Sequence, residues 1–474
     1  MYTVVIAYFL TWLLIPSILL QKKPPVATLT WLFTIVCLPF FGPLLFFLIG
    51  PDRIRRKRLK KQEKFEGEAG REKPESSHYD QQNAALLANL EINSKNLFQI
   101  LAKINELPTS SIIDHQLLCD AASYYQSLLH CIENARHHVH LQVFIWQEDR
   151  YGTMLLEALT AAAQKGIKIR LMLDEIGSLN TSESFFQPLI DAGGMFAWFS
   201  SLHFRKNRFF VNLRNHRKIQ IIDGKVGFVG GMNIGREYAG EDPKFGDWFD
   251  MQIKFSGSLC ADLQQCFAED WFYATEEKIE GDSYFPSQDQ APRYTAQVIA
   301  SGPDSERDPM HKSFLALLNA ARKRVWITTG YFVPSEILLT GLQMCALRNI
   351  EIRLLVPTVL DHPFMKAVSR SFYDELLPYG IELVETVDDI YHAKTMIVDD
   401  SLSMIGSANF DNRSMLLNFE LNVVIHSAGL NQTLAGQLSE YFAKGSKVVA
   451  SEYDSRTFRS KLIEAAARPF APIL

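Results

Sequence analysis

The stretch His216-Arg217-Lys218-Ile219-Gln220-Ile221-Ile222-Asp223 has a counterpart far along the chain, His392-Ala393-Lys394-Thr395-Met396-Ile397-Val398-Asp399. Both read H-x-K-x4-D, and in both an apolar, β-branched run follows the lysine, the pattern of a buried strand. On a strand, residues two apart share a face, so His and Lys point the same way. The Asp has the opposite parity and is expected to brace the turn that follows. A second strand then leads to Gly230-Gly231-Met232-Asn233 in one copy and Gly406-Ser407-Ala408-Asn409 in the other. A unit repeated with its sequel constrains the chain to two halves of like construction.

The flanking sequence supports that plan. Ala135-Arg136 and the strand Val139 to Trp146 match Ala321-Arg322 and the strand Val325 to Phe332. Each is followed by a helix (Met154 to Gln164; Glu336 to Arg348), a strand (Ile167 to Leu173; Ile350 to Val356), a further helix and strand, and the H-x-K-x4-D hairpin. Strands alternating with helices predict an α/β fold with mixed, mostly parallel central sheets and flanking helices. Residues 275 to 295, polar with Gly281, Pro286 and Pro292, read as the connection between halves.

Residues 3 to 20 are almost uninterruptedly apolar, residues 26 to 50 are apolar again, and Lys22-Lys23-Pro24-Pro25 lies between them. About 18 to 25 residues at ~1.5 Å rise span a hydrocarbon core of ~30 Å, so two N-terminal transmembrane helices are expected. Pro39 and Pro43 leave a kink or re-entrant hairpin open as the alternative. A cleaved leader fits less well, because no basic region precedes the first run. The cluster Arg53, Arg55, Arg56, Lys57, Arg58, Lys60 and Lys61 then places the downstream region on the cytoplasmic side. The expected organisation is two membrane segments in 1–52, a basic stretch and linker in 53–82, a first half in 83–274, and the connection and second half in 275–474.

A formal net charge of −5 argues against a nucleic-acid partner. The six cysteines show no ligand or disulfide spacing, so neither a metal nor another cofactor is expected. Arg205, Lys206, Arg208, Arg214 and Arg217, interleaved with Phe204, Phe209 and Phe210, form a basic and aromatic approach to the first motif that would suit an anionic bilayer. His137, His138 and His140 lack the motif context and read as structural.

Two paired motifs of this kind resemble the phospholipase D superfamily. The runs Asn215-His216-Arg217-Lys218, Gly230-Gly231-Met232-Asn233-Ile234, Gly330-Tyr331-Phe332-Val333-Pro334 and Asn409-Phe410-Asp411-Asn412-Arg413-Ser414 are similar to bacterial cardiolipin synthases over nearly the whole chain. The resemblance implies two pseudo-symmetric halves sharing one site, with His216, Lys218, Asp223, His392, Lys394 and Asp399 as its catalytic set. Asn233, Ser407 and Asn409 would support it, and Asp250 and Glu420 would orient the imidazoles. It further implies an inner-membrane enzyme that transfers a phosphatidyl group between two phosphatidylglycerols through a phosphohistidine on His216, with His392 as acid and base.

The residues themselves fit phosphodiester chemistry, which needs a nucleophile, an acid and fixed positive charge. Two imidazoles and two ammonium groups provide all three without a metal. A phospholipase D hydrolase or a phosphatidylserine synthase would differ only in the acceptor. A membrane-tethered nuclease and a silent lipid-binding scaffold are the readings from other classes.

Overall fold

The computed structural model describes residues 12, 14–20, 25–38, 40–49, 84–199, 214–243, 246–287, 290–305, 307–358, 363–387 and 389–473. In chain order the strands are β1 (Ser110–Ile112), β2 (Asp114–Leu118), β3 (His138–Val143), β4 (Lys168–Asp174), β5 (Met195–Phe199), β6 (Ile219–Ile222), β7 (Val226–Gly230), β8 (Trp248–Phe249) and β9 (Gln252–Ser256). After the helix Leu259–Thr275 come β10 (Tyr294–Ser301), β11 (Arg324–Thr328), β12 (Phe332–Val333), β13 (Glu351–Val356), β14 (Glu382–Glu385) and β15 (Ile390–Tyr391). The last are β16 (Thr395–Val398), β17 (Leu402–Gly406), β18 (Phe410–Asp411), β19 (Glu420–His426) and β20 (Ser446–Lys447).

Two large sheets result, one ordered β2-β9-β7-β6-β3-β4-β5, the other β1-β10-β19-β17-β16-β11-β13-β14-β20. The run from β9 to β5 in the first has the same succession of pairings as the run from β19 to β14 in the second. The chain is therefore mixed α/β, but its sheets are mostly antiparallel rather than mostly parallel. Only β3/β4, β4/β5, β11/β13 and β13/β14 are parallel within them. These pairs are joined through helices, whereas each H-x-K strand turns straight back on itself as a hairpin, β6/β7 and β16/β17. A short turn permits only antiparallel pairing.

The motif strands are buried throughout because there is core on both sides of the sheet: Ile219 and Ile221 join one cluster and Ile222 another, and Ile397 and Met396 divide likewise. One core cluster contains Ile219, Val229, Ile253, Leu263 and Phe267 from the first half with Ile397, Ile405, Val423, Leu434 and Leu438 from the second. The helix Leu259–Thr275, which the sequence reading passed over, contributes much of it. The helix Ile92–Asn105 and β1, grouped by sequence with the first half, belong to the other side. Leu97, Phe98 and Leu101 pack with Ile299, Met310 and Phe314, and β1 pairs with β10. Leu117 and Leu118 end β2, and a helix follows at Ala121–Glu133, where Asp120 caps it by accepting from Ser123 N.

The N-terminal segments form a separate unit. The second apolar run is two helices, Pro25–Cys37 and Phe41–Ile49, instead of one. A Cβ on Gly42 would meet Thr34 O at 2.5 Å and Ile35 Cα at 2.6 Å, so only glycine lets the second piece turn this closely against the first. Trp31 and Phe46 then meet edge-to-face at 5.3 Å between ring centroids. Among the described residues no helix is long and apolar enough to cross a membrane. The first run, the basic cluster and the linker lie largely or wholly outside the described residues.

Candidate active site

Each H-x-K strand is entered through a short parallel pairing with the other half. Asn215 bridges Phe419, and His216 N donates to Phe419 O at 2.9 Å. In the mirror arrangement β15 pairs with β8, and His392 N donates to Phe249 O at 2.7 Å. The residue after each partner is a carboxylate, Glu420 and Asp250. It is thereby carried to the imidazole of the opposite half.

His216 Nδ1 lies 3.0 Å from Glu420 Oε2, and His392 Nδ1 lies 2.8 Å from Asp250 Oδ2. An ionised carboxylate only accepts, so each Nδ1 carries the hydrogen and each Nε2 keeps its lone pair. Glu420 and Asp250 are fully or almost fully buried, as are Lys218 and Lys394. Glu420 also accepts from Ser407 Oγ at 2.5 Å and from Asn418 Nδ2 at 3.0 Å.

The asymmetry between Gly231 and Ser407 now has a cause. A Cβ on Gly231 would come within 2.2 Å of Asp250 Oδ1, whereas Ser407 has room beside the longer Glu420 and donates to it. A second close approach occurs at Gly330, where a Cβ would lie 2.6 Å from His392 Cδ2.

The two lysines bond back onto their own motifs. Lys218 Nζ donates to His216 O at 2.9 Å and Lys394 Nζ donates to His392 O. The asparagines are pinned alike: Asn233 Oδ1 accepts from Ile145 N and Asn409 Oδ1 from Gly330 N, both at 3.2 Å. Each carbonyl oxygen is thus used, which fixes the amide orientation.

The family described as "Cardiolipin synthase, PLD-like domain" matches residues 128–271 and 314–444, and a "Phospholipase_D-nuclease N-terminal" family matches residues 6–51. The chain belongs to the phospholipase D-like cardiolipin synthase family. It is 33% identical over 459 residues to a cardiolipin synthase of Alkalihalophilus pseudofirmus, covering 96% of this chain and 91% of that one. It is 31% identical to cardiolipin synthase 2 of Bacillus anthracis, covering 96% and 88%. Among solved structures, phosphatidylserine synthase of Haemophilus influenzae shares the fold, with a TM-score of 0.59, 14% identity, and coverage of 80% of this chain and 97% of that one.

In this family member the two motif aspartates stand apart from the imidazoles. Asp223 takes a left-handed backbone (φ 54°) and its carboxylate accepts from the backbone N–H of Arg136, His137 and His138. Asp399 (φ 52°) accepts likewise from Arg322, Lys323 and Arg324. Aspartate tolerates that conformation better than most residues. Both therefore tie the hairpin turn to the first strand of their half.

Burial dominates the electrostatics. It pushes Lys218 down to about 7 and Lys394 down to about 8, against the pull of Glu420 and Asp250. Burial, with Lys394 alongside, lowers His392 to about 4, and burial also lowers His216, opposed by Glu420. For Glu420 burial acts upward, but His216 and Lys218 outweigh it and hold the carboxyl below its ordinary value. Burial thus favours neutral imidazoles and weakens the hold of both lysines on their protons.

The basic approach reads differently in the structure. Arg205, Lys206 and Arg208, with Phe204, Phe209 and Phe210, lie outside the described residues. Arg217 is buried and cannot meet a bilayer. Its Nη1 lies 2.8 Å from Asp270 Oδ2, its Nη2 donates to Ser301 O at 3.0 Å, and its Nε donates to Glu420 O at 3.3 Å. Asp270 also accepts from Asn215 Nδ2 and Gln142 Nε2. This network was missed, although Arg217, between His216 and Lys218, has the opposite strand parity. The rings of Phe144 against His216 (4.8 Å) and Trp248 against His392 (5.1 Å) were missed too. His137, His138 and His140 stand together against Tyr284, away from the paired imidazoles, and Gln264 bonds both His138 and His140. No group of three or more His, Cys, Asp or Glu among the described residues is arranged to hold a metal ion.

Proposed function

We propose that this chain is a cardiolipin synthase that transfers a phosphatidyl group from one phosphatidylglycerol to another, releasing glycerol. The observation that carries the reading is the pair of imidazoles, each with Nδ1 held by a buried carboxylate from the opposite half and a buried lysine beside it. Near-full-length similarity to cardiolipin synthases supports the substrate.

The phosphodiester brings a negative charge to the two lysines. Lys218 and Lys394 become fully charged against its non-bridging oxygens, and His392 takes up a proton. His216 Nε2 attacks phosphorus; the N–P bond forms as the P–O bond to glycerol breaks, and His392 gives its proton to the departing oxygen. The acceptor phosphatidylglycerol then enters. His392 removes the proton of its terminal hydroxyl, that oxygen attacks phosphorus, and the N–P bond breaks to free His216. Glu420 stabilises the charge on His216 during the intermediate, and Asn233 and Asn409 hold the phosphoryl group. Asp223 and Asp399 act only by fixing the hairpins that carry His and Lys.

The two halves are related by a pseudo-two-fold, residues 1–52 anchor the chain in a bacterial inner membrane, and the catalytic region lies on the cytoplasmic side. The re-entrant build of Pro25–Cys37 and Phe41–Ile49 favours a hairpin anchor over a second full span. The partner is anionic phospholipid rather than nucleic acid. Labelled phosphatidylglycerol tests the reading. Cardiolipin and free glycerol in equal amounts are expected; phosphatidic acid alone would make the chain a hydrolase.

A further inference from the structure

Six large apolar side chains gather near the C-terminus while remaining between 44% and 80% exposed: Phe364, Leu416, Phe458, Leu462, Ile463 and Phe470. They lie on four short elements that pack on one another: the helices Pro363–Arg370, Asn412–Leu416 and Phe458–Ala467 and the turn Arg468–Ile473. Phe364 and Phe470 meet edge-to-face at 5.6 Å, and Asn412 Nδ2 donates to Ala471 O at 3.0 Å, which ties the elements that carry these side chains together.

The inner side of this layer is fully engaged. Ala467 and Ala471 lie in the core, Glu464 accepts from Arg456 Nε at 2.8 Å, and Arg468 Nη1 donates to Ser371 O at 2.8 Å. The exposed stripe is thus the free face of a seated helix. Phe458 and Leu462, four apart, share a face, as do Arg459 and Ile463.

Charge and position select the occupant. Arg459 and Lys461 are exposed on the helix, and its one acid, Glu464, is buried and paired. An apolar stripe edged with basic residues suits an anionic lipid surface. A second copy fits poorly, because a two-fold contact would set Arg459 and Lys461 against themselves. The helix Asn412–Leu416 starts directly after Asp411, two residues beyond Asn409, and the charge of Glu420 acts on Arg413. At ~1.5 Å per residue the helix is about 7 Å long, so Leu416 is one short helix away from the candidate site.

We infer that the Phe364, Leu416, Phe458, Leu462, Ile463 and Phe470 patch seats the catalytic region on the anionic bilayer and aligns the site with lipid headgroups. The inference rests on the lipid-substrate reading above and adds a second contact to that of the N-terminal segments.

The test compares the full chain with its F458S/L462S variant on vesicles of equal phosphatidylglycerol and phosphatidylcholine and on detergent–phosphatidylglycerol micelles. A tenfold or larger loss on vesicles is expected, with micelle activity within about twofold of the parent. Equal vesicle activity overturns the inference, as does an equal loss on both, which would mark a folding effect. A lower oligomeric mass in detergent would assign the patch to a second copy instead. A nitroxide on Leu462→Cys, with Cys37 and Cys119 replaced, reports burial in vesicles without requiring turnover. It should become accessible to oxygen and protected from an aqueous relaxant. Protection without cardiolipin synthesis would retain the surface and reject the reaction; an aqueous label with normal synthesis would do the reverse.

Discussion

Glu420, on a strand of the second half, lies 3.0 Å from Nδ1 of His216, which belongs to the first. Asp250 returns the relationship to His392 at 2.8 Å. Each half therefore supplies an imidazole whose tautomer is set by the other, and neither half is complete alone.

Removing the charge from either carboxylate leaves a side chain of the same size but no counter-ion for the imidazolium. E420Q and D250N are each expected to lose about 10²-fold or more in kcat, within the range for acid–base groups, while remaining folded. Steady-state kinetics with circular dichroism on the same samples check this. Wild-type turnover in E420Q would remove Glu420 from the mechanism.

Gly231 and Ser407 occupy matching places with opposite tolerance. G231S sets a Cβ within 2.2 Å of Asp250 Oδ1 and should displace His392, with a loss of 10²-fold or more. S407G removes one hydrogen bond to Glu420 and is expected to cost about tenfold, equivalent to ~1.4 kcal/mol. Similar kcat values for the two variants would contradict the packing argument.

Much of this arrangement was legible in the sequence. The repeated His and Lys, their shared face and the opposite parity of the Asp follow from period-two geometry, and Asp223 and Asp399 do brace the turns. The parallel character of the sheets was over-read, because alternation of helix and strand says nothing about the hairpins β6/β7 and β16/β17. The crossing of Glu420 to His216 is a contact between residues far apart in the chain, and local pattern does not encode it. Arg217 was legible and overlooked, since parity alone sends it away from His216 and Lys218.

Arg217 is the first motif's structural clamp. R217M would leave Asp270 buried without its cation, a loss of about 3–5 kcal/mol for one partner of a buried pair, read as a fall in Tm or in denaturant midpoint. Adding D270N should recover part of that loss. A double variant no more stable than R217M would show that Asp270 is not the source of the penalty.

Lys218 lies near 7, Lys394 near 8 and His392 near 4, all depressed chiefly by burial. A bound phosphodiester anion raises all three, so binding should take up protons at pH 7 to 8. Calorimetry of glycerophosphoglycerol binding in buffers of different ionisation enthalpy gives the number directly. Net uptake is expected, and K218M should reduce it. Proton release on binding would contradict the charge balance described above.

In the proposed mechanism the crossed carboxylates set up a nucleophile on His216 and an acid–base on His392. The most direct measurement is rapid quenching during turnover of phosphatidylglycerol labelled in the phosphatidyl portion, followed by mapping of the acid-labile, base-stable adduct. Label is expected on the peptide containing His216, with accumulation in H392A when a good leaving group replaces glycerol. Label on the His392 peptide, or turnover with no trapped adduct under conditions that preserve phosphohistidine, would contradict that mechanism.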